Sequence, residues 1–133
     1  MKKLLPILTC LLLLSCQPDH CNTPFGAGGT IDLIDYSNLY NHVGGTEMIS
    51  CGYKGVLVRC SGFSEYTAFE CACPHDHEVR MQPDDSKEAV ILTCPSCGSR
   101  FELINGAPLE GSATSCQLYQ YRVSVEGTVL TIY

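Results

Sequence analysis

Two short segments carry residues that could hold a metal. One is Cys73-Pro74-His75; the other, after 18 intervening residues, is Cys94-Pro95-Ser96-Cys97-Gly98-Ser99-Arg100-Phe101. Thiolates are soft and anionic, imidazole is borderline, and together they suit iron or zinc. Within each segment the two ligand side chains are close enough to reach one centre, and the gap is long enough for a strand to bring the loops together. Pro74 and Pro95 fix the backbone beside a cysteine, and Gly98 permits a tight turn.

The pattern resembles the Rieske iron-sulfur family, whose motif is C-x-H, a spacer of similar size, then C-x-x-H around a [2Fe-2S] cluster. Cys97 stands where the family has its second histidine, while Cys94, Pro95, Gly98, Ser99, Arg100 and Phe101 match the second loop. Gly106, Leu109, Glu110, Gly111 and Ala113 resemble the turn and proline loop that follow, with Ser112 in place of the proline. Gly55 to Glu70 resembles the strand pair leading into the first loop, so the likeness covers about three quarters of the chain.

The resemblance implies an all-β, antiparallel sandwich or barrel with a small inserted cluster-binding subdomain at about 71–104. It also implies a ligand set of Cys73 and Cys94 on an inner iron, with His75 and Cys97 on an outer, more solvent-accessible one. Ser99 matches the serine that donates to a bridging sulfide; alone it would pass equally for a turn serine. A thiolate at 97 in place of a neutral imidazole adds about one negative charge. The potential is therefore expected below the usual Rieske range, with a single imidazole in its pH dependence. The extra cysteines that form a loop disulfide in respiratory members are replaced by Glu78 and Ser96, so the likeness is nearer the ferredoxin-type branch.

Other residues leave alternatives open. His75 is preferred to His77 as the ligand, and His20 and His42 read as surface residues. Three cysteines and one histidine also suit tetrahedral zinc, and Cys94 could instead bond to Cys97. Either form would make the chain a structural or binding module. A C-x-x-C thiol oxidoreductase is disfavoured because Gly98 to Leu103 reads as turn and strand rather than the helix that lowers a thiol pKa. Cys21, Cys51, Cys60, Cys71 and Cys116 remain, an odd number, with Cys60 and Cys71 able to bond if their strands pair.

The 133 residues suffice for one domain. Lys2 and Lys3 precede an apolar run from Leu4 to Leu14, an export signal too short to span a bilayer. It ends in Leu13-Leu14-Ser15-Cys16, which resembles a bacterial lipobox. The expected division is a signal peptide at 1–15, a flexible tether at 16–29 with lipid on Cys16, and the domain at 30–133. Cys10 would leave with the signal. Gln17, in place of an inner-membrane aspartate, points to the outer membrane, facing the periplasm. Lys2-Lys3 lacks the arginine pair of the folded-protein export route, which keeps the zinc and disulfide forms in play.

Removing Lys2 and Lys3 leaves 6 basic residues against 14 acidic, a net charge of −8. With no basic stripe, nucleic acid is not an expected partner. No Ser-His-Asp order, paired-carboxylate motif or glycine-rich phosphate loop appears, so the expected role is not stand-alone catalysis but single-electron exchange with a redox partner protein.

Short β-type runs must position the loops: Ile31 to Ile34, Thr46 to Ile49, Val56 to Cys60, Tyr66 to Phe69, Val90 to Thr93 and Arg100 to Leu103. Tyr119, Tyr121, Val123 and Val125 alternate with polar residues and turn at Glu126-Gly127 into Thr128 to Tyr133, a terminal hairpin. Tyr36 to Val43 allows at most a helical turn.

Overall fold

The computed structural model describes residues 21–133; the expected signal peptide, Cys16 and His20 lie outside the described residues. The described chain is all β apart from one 3-10 turn, and no helix in it is long and apolar enough to cross a membrane. Ten strands form three antiparallel sheets. They are β1 (Gly29–Asp32), β2 (Thr46–Ile49), β3 (Val56–Gly62), β4 (Glu65–Glu70), β5 (Gln82–Pro83), β6 (Ile91–Thr93), β7 (Arg100–Glu102), β8 (Gln120–Tyr121), β9 (Val123–Glu126) and β10 (Val129–Ile132).

The sheet orders are β1-β10-β9, β2-β3-β4-β8 and β5-β6-β7. The first two enclose a core of Val56, Val58, Ala68, Leu130 and Ile132, with Leu33 and Leu39 closing it. β4 alternates its faces, so Phe69 belongs instead to a second core with Met81, Leu92, Phe101 and Leu103 under the small β5-β6-β7 sheet. That second core is the floor of the two cysteine loops. Thr46 joins the layers: its N–H donates to the Lys87 carbonyl at 2.7 Å, and its hydroxyl accepts from Ala89 N–H at 3.0 Å.

Several elements differ from the sequence expectation. The first strand is Gly29–Asp32, not Ile31 to Ile34, because the Asp32 carboxylate accepts from Ile34 N–H at 3.1 Å and turns Leu33–Asp35 into a 3-10 helix. Residues 37–41 make one hydrogen-bonded turn, with Tyr40 N–H on the Tyr36 carbonyl at 3.0 Å. The alternating run from Tyr119 is split between two sheets: Gln120–Tyr121 pairs with β4, while Val123–Glu126 pairs with β10. The short strand Gln82–Pro83 carries no sequence signal strong enough to have been expected.

Cys60 and Cys71 do not bond. Their strands do pair, but Cys60 faces Tyr66 at one end of the ladder while Cys71 follows Glu70 at the other. Cys21 instead bonds to Cys116, 95 residues away. The described part of the expected tether is held down throughout. Phe25 stacks on Tyr119 with ring centroids 4.5 Å apart, Gly26 N–H donates to the Tyr121 hydroxyl at 3.0 Å, and Gly52 N–H donates to the Ala27 carbonyl at 2.7 Å. A methyl group at Gly28 would overlap the Ile132 carbonyl, so this crossing requires glycine.

A buried carboxylate organises the entry to the first loop. Glu70 accepts from Tyr53 N–H, from Lys54 N–H and Ala72 N–H at 3.0 Å each, and from the Tyr121 hydroxyl at 2.9 Å. It thereby links the 52–55 turn, the sheet and the residue before Cys73. In a Glu70→Gln variant the amide NH2 would confront N–H donors. We expect a loss of about 2–3 kcal/mol, the cost of orphaned buried donors. Urea unfolding of variant and wild type measures it, and equal midpoints would contradict this role.

Candidate metal centre

Both cysteine loops are hairpin-like and closed in the same way. The first lies between bridge partners Ala72 and Arg80, with Cys73 N–H donating to the Val79 carbonyl at 3.0 Å. The second joins β6 to β7 after the Thr93–Arg100 pair, with Cys94 N–H donating to the Ser99 carbonyl at 2.8 Å. Gly98 sits at φ +73° with nothing crowding its Cα, and its N–H donates to the Cys94 carbonyl at 2.9 Å. Each loop thus begins with a buried cysteine facing inward.

The tips converge. The sulfurs of Cys73, Cys94 and Cys97 all lie within 4.8 Å of one another, and Cys73 Sγ is 3.7 Å from Cys97 Sγ. Cys97 also belongs to a second group, with His75 and Asp76, whose ligand atoms lie within the same 4.8 Å limit. Cys73 and Cys94 are fully buried, Cys97 is partly exposed and His75 is exposed. The three expected cysteine ligands are therefore brought together, Cys73 and Cys94 dry and Cys97 part-exposed, while exposed His75 meets this group only through Cys97. His77 is exposed, with Nε2 2.9 Å from the carbonyl oxygen of Pro74 in its own loop. Distant His42 meets Glu88 at 2.8 Å.

Electrostatics distinguish the sulfurs. Burial pushes the Cys73 thiol up to about 12, against the pull of the Asp76 and His75 backbone N–H groups. A thiol in so dry a place becomes a thiolate when a cation compensates its charge. Partial burial also raises Cys97, but hydrogen bonds from the Ser99 side chain and backbone, with those from Cys94 and Cys73, outweigh it and bring this thiol below its ordinary value. Ser99 is fully buried, and its Oγ accepts from Ala113 N–H at 2.8 Å and lies 3.1 Å from Cys97 Sγ. Toward the protonated Cys97 thiol the hydroxyl oxygen is the acceptor, and toward the thiolate its proton can donate to the sulfur.

Three thiols and an imidazole, one flank buried and one open, fit the donor set of an iron-sulfur cluster or of a single zinc ion. All three cysteines are free, so the Cys94–Cys97 disulfide form is not the one observed.

The sequence reading missed the roles of three supporting residues, one of which, Ser112, it noted only as standing in place of a proline. Asp76 puts a carboxylate oxygen 3.4 Å from His75 Nδ1 and its N–H 3.4 Å from Cys73 Sγ. Ser112, in the proline position, exchanges two 3.0 Å hydrogen bonds with the Arg100 backbone and so fixes the covering loop to β7. Glu102 shapes the start of that loop, accepting from Ile104, Asn105 and Ala107 N–H at 2.9 Å each. An acid two or three residues before a glycine-containing turn is the signal that could have marked Glu102.

Partial burial opposes ionisation of Glu102, yet its backbone hydrogen bonds hold the carboxyl below the ordinary 4.5. A folded-state value below the unfolded one stabilises above the unfolded pKa, and that contribution fades as pH falls through the folded one. We expect the wild-type melting temperature to drop on acidification below about pH 5. A Glu102→Gln variant should drop less steeply; parallel curves would count against the assignment.

No protein-family model and no curated protein matches the chain. Among solved structures, it resembles the ferredoxin of carbazole 1,9a-dioxygenase from Nocardioides aromaticivorans IC177, at 20% identity and a TM-score of 0.50. The alignment covers 83% of this chain and 97% of that one. A complex of reduced oxygenase and oxidised ferredoxin in carbazole 1,9a-dioxygenase also matches, at 18% identity and a TM-score of 0.46, covering 68% of this chain and 81% of that one. The first likeness shows the fold: all β, antiparallel and Rieske-like.

Proposed function

We propose that this protein is a one-electron carrier of the Rieske type, held at a bacterial envelope membrane by lipid on Cys16 and exchanging electrons with a separate redox protein. The observation that carries the reading is the meeting of Cys73, Cys94 and Cys97 at two loop tips, with exposed His75 grouped beside Cys97. A [2Fe-2S] cluster would be held by Cys73 and Cys94 on the buried side and by His75 and Cys97 on the open side. When bound, it supplies a site that accepts and returns one electron.

The chain's own residues make that site usable. The buried pair keeps water from one flank, and the Asp76 backbone and Ser99 hydroxyl offer hydrogen bonds to sulfur, which favours added negative charge. Exposed His75 and half-exposed Cys97 form the flank that a partner can approach. The solved neighbour is itself a ferredoxin, and the role proposed here is the same kind of task. The acidic surface suits a partner with a basic docking face, and Gln17 after the lipid-bearing cysteine favours the outer membrane, facing the periplasm.

A second reading, structural zinc, draws on the 3.7 Å between Cys73 Sγ and Cys97 Sγ. Two ligands of one tetrahedral ion with bonds of about 2.3 Å are separated by roughly that distance. His75 weighs the other way, because it groups with Cys97 and Asp76 rather than completing a tetrahedron with the three thiols. Visible absorption with iron, zinc and acid-labile sulfide analysis decides between them, on protein purified from its native membrane without reconstitution. Brown material with iron and sulfide is expected; colourless protein with stoichiometric zinc would overturn the carrier.

A further inference from the structure

Cys21 is only five residues beyond the proposed lipid-bearing Cys16, and it is bonded to Cys116 inside the domain. Five residues reach at most about 18 Å when fully extended. From the proposed anchor, the surface around this disulfide is thus the part of the domain that must stay near the bilayer. Residues 21–25 and 115–120 border an open groove whose lining, including Asn22, Thr23, Phe25, Gln117 and Tyr119, contains no charged side chain. Elsewhere the protein is acidic, with a net charge of −8 once Lys2 and Lys3 are removed. Phe25 is 60% exposed although stacked on Tyr119.

We propose that this uncharged face, with Phe25 and Tyr119 at its centre, seats directly on the lipid headgroups. The proposal rests on the lipid-anchor reading and extends it from a swinging tether to a fixed orientation. Three observations converge on a lipid surface as the occupant. The covalent link is too short for the face to leave the membrane. The face lacks the carboxylates that anionic headgroups repel. Its exposed large apolar side chain, Phe25, is one of a pair of stacked aromatics, the residue type that settles at the headgroup level.

This orientation brings the metal loops with it. The Tyr119 carbonyl accepts from Glu70 N–H at 2.9 Å, three residues before Cys73, and Cys116 follows Ala113, whose N–H holds Ser99. Both connections run from the seated face to the cysteine loops within three residues.

The chain contains no tryptophan, so one can be placed as a reporter. Mature lipidated Phe25→Trp protein is incorporated into phosphatidylethanolamine/phosphatidylglycerol vesicles with or without brominated acyl chains. Phe63→Trp is the comparison, since Phe63 is 87% exposed in the β3–β4 turn, at the other end of β4 from Glu70. We expect brominated lipid to reduce Phe25→Trp emission about twofold, as for a side chain at headgroup depth, and to leave Phe63→Trp unchanged.

If the protein floats with vesicles but Phe25→Trp is not quenched, or both reporters are quenched alike, the seated face is wrong while the anchor stands. A face reserved for a protein partner would give that unquenched result. If the protein does not float, the anchor reading fails and this inference fails with it.

Discussion

Replacing Cys97 by histidine should raise the reduction potential of the centre by roughly 200 mV, about half the interval separating all-cysteine from two-histidine [2Fe-2S] proteins. The substitution exchanges an anionic ligand for a neutral one at an exposed loop tip. Position 97 is partly exposed, its neighbours Pro95, Ser96 and Gly98 are exposed, and no atom lies within 4 Å of a Cβ built at Gly98. Cys97 packs at the edge of the second core, so an imidazole would be placed on its solvent side. Two hundred millivolts for one electron is about 4–5 kcal/mol, far more than a change in hydrogen bonding alone would give. A second titratable imidazole should also make the potential pH-dependent over a wider range. Protein-film voltammetry of both forms reads both effects. An unchanged potential would remove Cys97 from the ligand set.

Opening the Cys21–Cys116 bridge should cost about 4 kcal/mol, because it releases a closed loop of nearly the whole domain and loop-closure entropy grows with loop length. Residues 21–28 belong to no strand and are held otherwise by the Phe25–Tyr119 stack and isolated hydrogen bonds. Residues 114–118 also belong to no strand, and are held otherwise by Leu118 N–H on the Gly106 carbonyl at 2.9 Å and by Thr23 Oγ1 on the Gln117 carbonyl at 3.2 Å. Both lose their restraint together in a Cys21→Ser/Cys116→Ser double variant. The melting temperature measured by circular dichroism should fall by about 15 °C for a domain of this size. A fall of only a few degrees would show that the segment is held by its other contacts. The metal loops should remain assembled, since none of their closing hydrogen bonds passes through the bridge.

Glu70 and Ser99 show how differently two polar residues near the centre can be read. Ser99 lies inside a motif dense enough to mark it, and the structure adds that its hydroxyl accepts from Ala113 and faces Cys97. Glu70 sits at the end of a β run with nothing to separate it from an exposed strand acid. Its importance comes from donors at 53, 54 and 121, which meet only after the sheet has formed. Strand placement divides similarly. Thr46–Ile49 is where alternation and β-branched residues put it, whereas the first strand shifted by two residues because one carboxylate capped a turn.

By itself the sequence determined the short-range chemistry: which four residues could bind metal, that they occupy two tight loops, and that β structure carries them. These properties depend on residue type and spacing over a few positions. Only the tertiary structure decided that Cys21 would find Cys116 while Cys60 and Cys71 stayed apart, and that residues 21–28 would be docked rather than loose. Those outcomes depend on strand register and on how three sheets stack, which bring together residues up to 95 positions apart and leave no mark in local composition.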